Sequence, residues 1–169
     1  MIIRKTERLI IRRFIISDAP FLLSLMNSPD WLKYIGDRNV RTIQDAENYL
    51  ENGSMKSYTD HNFGFYLLIQ KNSLLPIGTC GLVKRDDLEH IDLGFAFLPE
   101  YYQKGFGFES STAIMEHAKD DLGLDQLAAI STPENTASIA LLLKLGFQFE
   151  NNILFGDDKE LLNLYFVKI

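Results

Sequence analysis

The chain has 169 residues, 46% of them hydrophobic and 12% aromatic, a length and composition that support one domain over residues 1–169 with a single core. Its 23 acidic and 17 basic side chains give a net charge of −6, which argues against a nucleic-acid partner and suits an amine-bearing or cationic one. No apolar run reaches the roughly 18 to 20 residues that span a bilayer, and the opening Met1 to Arg8 lacks the charged-then-apolar layout of a secretory leader, so no membrane partner and a cytoplasmic location are expected.

Leu9 to Phe14 is isoleucine-rich and predicts a first strand. Ser17-Asp18-Ala19-Pro20 supplies a cap and an early proline for a helix through about Asn27, interrupted at Pro29. Trp31 to Arg41 reads as irregular; Thr42 then caps a second helix that runs to about Asn52 and is stopped by Gly53. Phe63 to Gln70 and Pro76 to Val83 predict a hairpin, and Ile91 to Leu98 a further strand ended by Pro99. The flanked Cys80 reads as a small buried hydrophobe, with a nucleophile as the sharper alternative but no base to partner it.

From Gly107 the spacing Ser111, Ile114, Met115, Ala118, Leu122 is helical, with Gly123 as the stop. Asp120 and Asp121 oppose the dipole at that end and suggest that it is exposed. Gln126 to Thr132 predicts a short strand, and Asn135 caps a helix with Ile139, Leu142 and Leu143 on its apolar face, closed by Gly146. Phe147 to Glu150 and Leu161 to Lys168 read as a last strand pair joined by the acidic loop Gly156-Asp157-Asp158. No repeat, low-complexity stretch or linker divides the chain.

The richest segment is Pro99-Glu100-Tyr101-Tyr102-Gln103-Lys104-Gly105-Phe106-Gly107-Phe108-Glu109, a strand-to-helix junction with two glycines. Such a turn lets the backbone approach a ligand without a Cβ in the way, and the first N–H groups of the helix and its dipole favour an anion. Glycine pairs also mark ordinary turns. A P-loop would need Gly-Lys-Ser/Thr at its close, and a Rossmann fingerprint a third glycine where Ser110 stands; neither is present. What remains is a loop that carries a diphosphate without metal, consistent with His61, His90 and His117 lying scattered, with no ligand spacing.

Tyr102-Gln103-Lys104-Gly105-Phe106-Gly107 resembles the acyl-CoA pyrophosphate loop of the GNAT superfamily of N-acetyltransferases, and its aromatic opening is similar to the RimJ/RimL-like branch. Three further runs fall in the family's order: Thr6-Glu7-Arg8-Leu9-Ile10-Ile11-Arg12, Ile77-Gly78-Thr79-Cys80-Gly81-Leu82, and Asn135-Thr136-Ala137-Ser138 leading to Lys144-Leu145-Gly146-Phe147. The resemblance implies an α/β (α+β) fold, a mixed and mostly antiparallel sheet of about seven strands flanked by helices and split between the fourth and fifth. It also implies acetyl-CoA as cosubstrate, no metal, an amine-bearing acceptor, and a monomer or homodimer. A catalytically silent acyl-CoA-binding module of the same fold is the rival reading.

Carried over by resemblance, the backbone of Gln103, Lys104, Gly105, Phe106, Gly107 and Phe108 binds the diphosphate, with Lys104 as an added point charge or simply a solvated one. Gly94 inside an apolar strand suggests a bulge or a close backbone approach; in the family such a bulge frees a backbone N–H for the thioester oxygen, which assigns that role to Phe97 and Leu98. Asn135 is a helix cap and, by resemblance, a pantetheine contact; Ser138 is a plain helix residue or the hydroxyl that protonates the departing thiolate. Positions 139 to 147 hold no tyrosine to take that part. Asp92 is the candidate proton acceptor or a solvated strand residue, with Glu89 and His90 in reserve. Trp31, Tyr34, Asp37 and Arg38 lie on the stretch that resemblance places over the acceptor, where packing and surface roles compete.

Overall fold

The computed structural model describes residues 1–156 and 159–169, so the expected acidic turn at Asp157 and Asp158 lies outside the described residues. Eight strands form one sheet: β1 (Ile2–Lys5), β2 (Leu9–Arg13), β3 (Phe65–Gln70), β4 (Pro76–Val83), β5 (Asp92–Phe97), β6 (Gln126–Ser131), β7 (Gln148–Phe155) and β8 (Glu160–Lys168), in the order β1-β2-β3-β4-β5-β6-β8-β7. All neighbours are antiparallel except β5 and β6. The fold class is thus the expected one, with one strand more than the expected seven. That extra strand is β1, which pairs Ile2 with Arg12 and Lys5 with Ile10. Its sequence Ile-Ile-Arg-Lys has no alternation, and it stays half-exposed, so β2 supplies the ladder that its own pattern does not announce.

Side chains alternate across the sheet and build two cores. Tyr66 and Leu68 of β3 join Leu93 and the α5 (Phe106–Asp120) residues Ala113, Ile114 and Ala118 on one face. On the other, Leu67 meets α1 (Ala19–Met26) through Leu22 and Leu25, Trp31 of α2 (Pro29–Tyr34), and Ala46 and Leu50 of α3 (Ile43–Leu50).

Two expectations on that second face need correction. Pro29 does not interrupt the chain but opens α2, with Ser28 in an extended cap conformation; at a first helical position the missing N–H costs nothing. Gly53 does not end the second helix either. A π-turn over Glu51–Met55 carries it into α4 (Lys56–His61), which stops at Asn62 in the left-handed region, φ 63°. The glycine costs about 1 kcal/mol in a helix, whereas Tyr58 one turn on is buried, stacks on Tyr66 at 5.6 Å, and accepts the Phe14 N–H at 3.1 Å. Burying such a ring is worth about 2 to 3 kcal/mol, so packing wins.

At the far end of α5, Asp121 and Asp120 are met by Arg4 of β1 at 2.9 and 3.7 Å, and His117 Nδ1 lies 2.6 Å from Asp121. The acids that oppose the helix dipole are therefore compensated from a neighbouring strand. The closing helix α6 (Thr136–Lys144) begins where expected: Asn135 Oδ1 accepts the Ser138 N–H at 3.1 Å. Cys80 is fully buried, 3.7 Å from Ser111 Oγ, and burial pushes its thiol up to about 12; it is the inert hydrophobe rather than a nucleophile. Among the described residues no helix is long and apolar enough to cross a membrane.

Candidate active site

The loop between β5 and α5 has an unusual backbone. Gln103 stands at φ 57° and Gly105 at φ 80°, two left-handed residues with Lys104 between them, and Gly105 caps α5. The first ladder bond of the helix runs from the Glu109 N–H to the Gly105 carbonyl, 3.1 Å. The N–H groups of Phe106, Gly107 and Phe108 precede that bond and point out of the helix end. The two glycines do different jobs. Gly105 supplies the positive φ, and a Cβ there would also come within 3.2 Å of Arg8 Nη2. Gly107 lies inside the first turn, where a Cβ would meet Leu141 Cδ2 of α6 at 2.8 Å, so it sets helix packing rather than ligand approach.

Behind the loop stands the β1–β2 turn. Thr6 Oγ1 donates to Glu109 Oε1 at 2.5 Å, the Arg8 N–H to the same oxygen at 2.8 Å, and Arg8 Nε to Glu109 Oε2 at 2.7 Å. Arg8 Nη1 donates to the Lys104 carbonyl at 2.8 Å, and its guanidinium lies 4.5 Å over the ring of the buried Phe106. Thr6 and Arg8 were visible in sequence only as part of a run; Glu109 carried one local signal, an acid in a helix's first turn, where the dipole favours it.

Beside the loop, the sheet opens. β5 and β6 share one paired position, Asp92 with Ala128, where the Ala128 N–H reaches the Ile91 carbonyl at 2.8 Å. Beyond it the strands part, which is the expected split. The expected bulge is not there: β4 and β5 pair one to one from Gly78–Phe97 through Val83–Asp92. Gly94 instead meets a close approach, since a Cβ on it would lie 2.8 Å from Phe65 Cζ, and an aromatic ring covers a glycine in the sheet. Strand alternation assigns the backbone. The Leu98 N–H donates to Ile77 at 3.0 Å and its carbonyl accepts from Tyr101 at 3.0 Å, so Leu98 has no free main-chain group for a ligand. Phe97, one residue back, turns its N–H and carbonyl the other way, into the split.

Asp92 sits at the root of that split, 1% exposed. Its Oδ2 accepts from Arg85 Nε at 2.6 Å, and its Oδ1 has no hydrogen-bond partner among the described residues. Burial pushes the carboxyl up to about 6, against the pull of the Arg85 charge and hydrogen bond. It is therefore not a solvated strand residue. Glu89 lines an open cavity of about 500 Å³ with Asp87, Glu150, Leu154, Phe155 and Phe166, while His90 packs edge-on against Phe166 at 5.1 Å. Ser138 is half-buried on α6, and its hydroxyl makes no hydrogen bond to the described residues. It stands one turn before Leu141, the residue that reaches Gly107.

Residues 8–148 match the family described as "Acetyltransferase (GNAT) domain". The chain belongs to the GNAT family. It is 26% identical to the uncharacterized N-acetyltransferase YoaA of Bacillus subtilis (strain 168) over 149 residues, 88% of this chain and 84% of YoaA. Its fold is similar to a GNAT-family acetyltransferase of Bacillus anthracis, at 25% identity and TM-score 0.78 over 98% of this chain and 96% of that one. It is also similar to RimL, a ribosomal L7/L12 alpha-N-protein acetyltransferase in complex with coenzyme A, at 18% identity and TM-score 0.81 over 100% and 98%.

In this GNAT chain the four residues proposed from sequence for the acceptor separate. Trp31 points into the core, 7% exposed, with its Nε1 unpartnered among the described residues, and walls a cavity of about 30 Å³ with Phe14, Leu22, Tyr49, Ser54, Phe65 and Thr79. Asp37 is held by Arg41 and by the Asn39 N–H, which keep its carboxyl below the usual range. Tyr34 is half-buried under Lys33, and Arg38 donates weakly to Ile35 at 3.4 Å. Burial, and then Asp30 of α2, push the Tyr102 phenol up to about 12. Arg85 had no signal in the sequence at all.

Proposed function

We propose that this chain, as one domain over residues 1–169, transfers an acetyl group from acetyl-CoA to a primary amine by direct attack, and that it belongs to the RimJ/RimL-like branch. The observation that carries the reading is the single paired position between β5 and β6. It leaves the Phe97 backbone open along one wall of a cleft that runs to the bare first turn of α5. Those groups are main-chain donors and acceptors spaced as a strand edge and then as a helix N-terminus, which suits an amide-bearing arm ending in a diphosphate. When bound, acetyl-CoA supplies the activated acyl group.

In this reading the N–H groups from Gln103 to Phe108 hold the diphosphate, Lys104 adds a point charge, and Asn135 touches the arm from the α6 side. Asp92 Oδ1, the carboxylate oxygen that Arg85 does not use, takes the ammonium proton through a bridging water. Ser138 donates its proton to the departing sulfur and regains one from the nitrogen of the tetrahedral intermediate, which must lose a proton as the amide forms. Tyr34 and Arg38 face the acceptor, while Trp31 and Asp37 shape the segment that carries them. The acceptor is a small amine, an amino acid or a protein N-terminus, the last being what RimL's name records for that enzyme. A cytoplasmic setting and a monomer or homodimer complete the reading.

A panel of amines with acetyl-CoA, followed by free-thiol release, tests it. Turnover with at least one amine is expected; CoA binding without thiol release from any of them would favour the silent module. Ser138→Ala is expected to lower kcat roughly a hundredfold with little change in acetyl-CoA affinity. Full turnover in that variant, under conditions where chemistry limits the rate, would return Ser138 to a plain helix residue.

A further inference from the structure

The β1–β2 turn takes no part in the chemistry above, yet it makes its hydrogen bonds to the cofactor loop across about a hundred residues of sequence: Thr6 and Arg8 with Glu109, and Arg8 with the Lys104 carbonyl. A trans peptide is planar with its carbonyl and N–H pointing to opposite sides. Where Arg8 Nη1 takes the Lys104 carbonyl, the Gly105 N–H of the same peptide is turned away from Arg8, to the other side of the loop. The loop also contains a strained residue, since Gln103 holds a left-handed φ of 57° without being glycine. Such a conformation persists only where its surroundings over-determine it. Glu109 adds a further requirement. A carboxylate in the first turn of α5 would repel an anion bound there, and three donors from Thr6 and Arg8 occupy it instead.

We propose that Thr6 and Arg8 are positioning residues for cofactor binding: clasped to Glu109 and to the Lys104 carbonyl, they orient the Lys104–Gly105 peptide with its N–H toward the diphosphate and tie off the nearby negative charge. The proposal rests on the reading that this loop holds the CoA diphosphate. Arginine suits position 8 because separate nitrogens of its planar fork meet Glu109 and the Lys104 carbonyl while its face lies on Phe106; a lysine gathers its donors on one atom and has no flat face for the ring.

Calorimetry with CoA on the full chain tests the clasp, with pantetheine, which lacks the diphosphate, as the second probe, followed by chemical-shift titration. Arg8→Met is expected to weaken CoA about tenfold or more, Arg8→Lys to recover part of that loss, and pantetheine affinity to change less than twofold. Thr6→Val, a milder change, should weaken CoA in the same sense and guards against a misfolded Arg8 variant. CoA affinity within twofold of wild type in folded Arg8→Met and Thr6→Val overturns the clasp, as does an equal loss for CoA and pantetheine, which would mark general damage. If wild type binds CoA and Gly105→Val binds it equally well, the loop reading itself fails; if only the Gly105 variant loses CoA, the loop stands and the clasp alone is wrong.

Discussion

Two arginine–carboxylate pairs flank the split, and they hold their acids in opposite ways. Arg8 meets Glu109 at 2.7 Å and Arg85 meets Asp92 at 2.6 Å, so the Coulombic contact is nearly the same. Partial burial pushes the Glu109 carboxyl up, but the Thr6 hydroxyl, the Arg8 N–H and the Arg8 side chain outweigh it and leave it below the usual range. Among the described residues Asp92 has one side-chain donor, Arg85, and almost no exposure, and burial wins. Depth of burial set against donor count, not the presence of an arginine, decides the sign. The first pair has both carboxylate oxygens satisfied; the second leaves Asp92 Oδ1 without a partner among the described residues.

The largest test of the loop-holding side is Gly105→Val, which forces a β-branched residue into φ 80° against Arg8. CoA binding should be lost in calorimetry while the far-ultraviolet dichroism of the fold is kept; unchanged affinity would mean that the loop is only a turn. Next comes Asp92→Asn on the other side. A general base is worth roughly a hundredfold, and the loss in kcat/KM should shrink as rising pH deprotonates the amine unaided. Wild type should also lose activity as pH falls through about 6, where Asp92 takes up its proton, and the variant should lack that limb. A pH-independent deficit, or none, would move the role to Glu89, His90 or bulk water.

Arg85→Met removes the one hydrogen-bond partner that the described residues give the buried Asp92 carboxylate and should cost about 3 kcal/mol in chemical denaturation at alkaline pH, and less at neutral pH, where the carboxyl can protonate instead. The sign follows from the raised pKa: without Arg85 the folded carboxyl titrates higher still, so the deficit is full above that point and fades as pH falls through it. A deficit that grows on acidification would contradict an ionised Asp92. Smallest is Glu109→Gln, whose amide oxygen still accepts from Thr6 and Arg8, with an expected loss of about 1 kcal/mol. Because Glu109's folded pKa is lowered, its contribution is present above the unfolded pKa and disappears as pH falls through the folded value. A wild-type-minus-variant difference that does not shrink on acidification would show packing rather than charge at work.

What the sequence revealed followed the range of the interaction. Gly105, Asn135, Gly146 and the strand from Pro76 to Val83 were legible because each reports a constraint met within a few residues: a left-handed turn, a cap, an apolar run. β1 was not, because its ladder belongs to β2. Neither Pro29 nor Gly53 could be read correctly from local propensity alone, since one is tolerated at a helix start and the other is overruled by Tyr58. The bulge at Gly94 was a sound inference from a glycine in a strand, but Phe65, at a distance in sequence, fills that space. For the site, residue types were visible and partners were not. Asp92 could be named, whereas its burial and the arginine seven positions before it are products of packing.

The grip of the N-terminal strands on α5 carries a consequence for the order in which the molecule can be made. Arg4 reaches the acids at one end of that helix and Arg8 the carboxylate at the other, across a separation of 101 residues for the Arg8–Glu109 bonds. A chain leaving the ribosome exposes Thr6 and Arg8 first and cannot close the clasp until α5 has emerged behind β5. The loop between β5 and α5 thus takes its final form late in folding, set by contacts of high sequence separation. Nascent chains halted before Glu109 should present the β1–β2 turn without its acid, and soluble CoA should have no purchase on them.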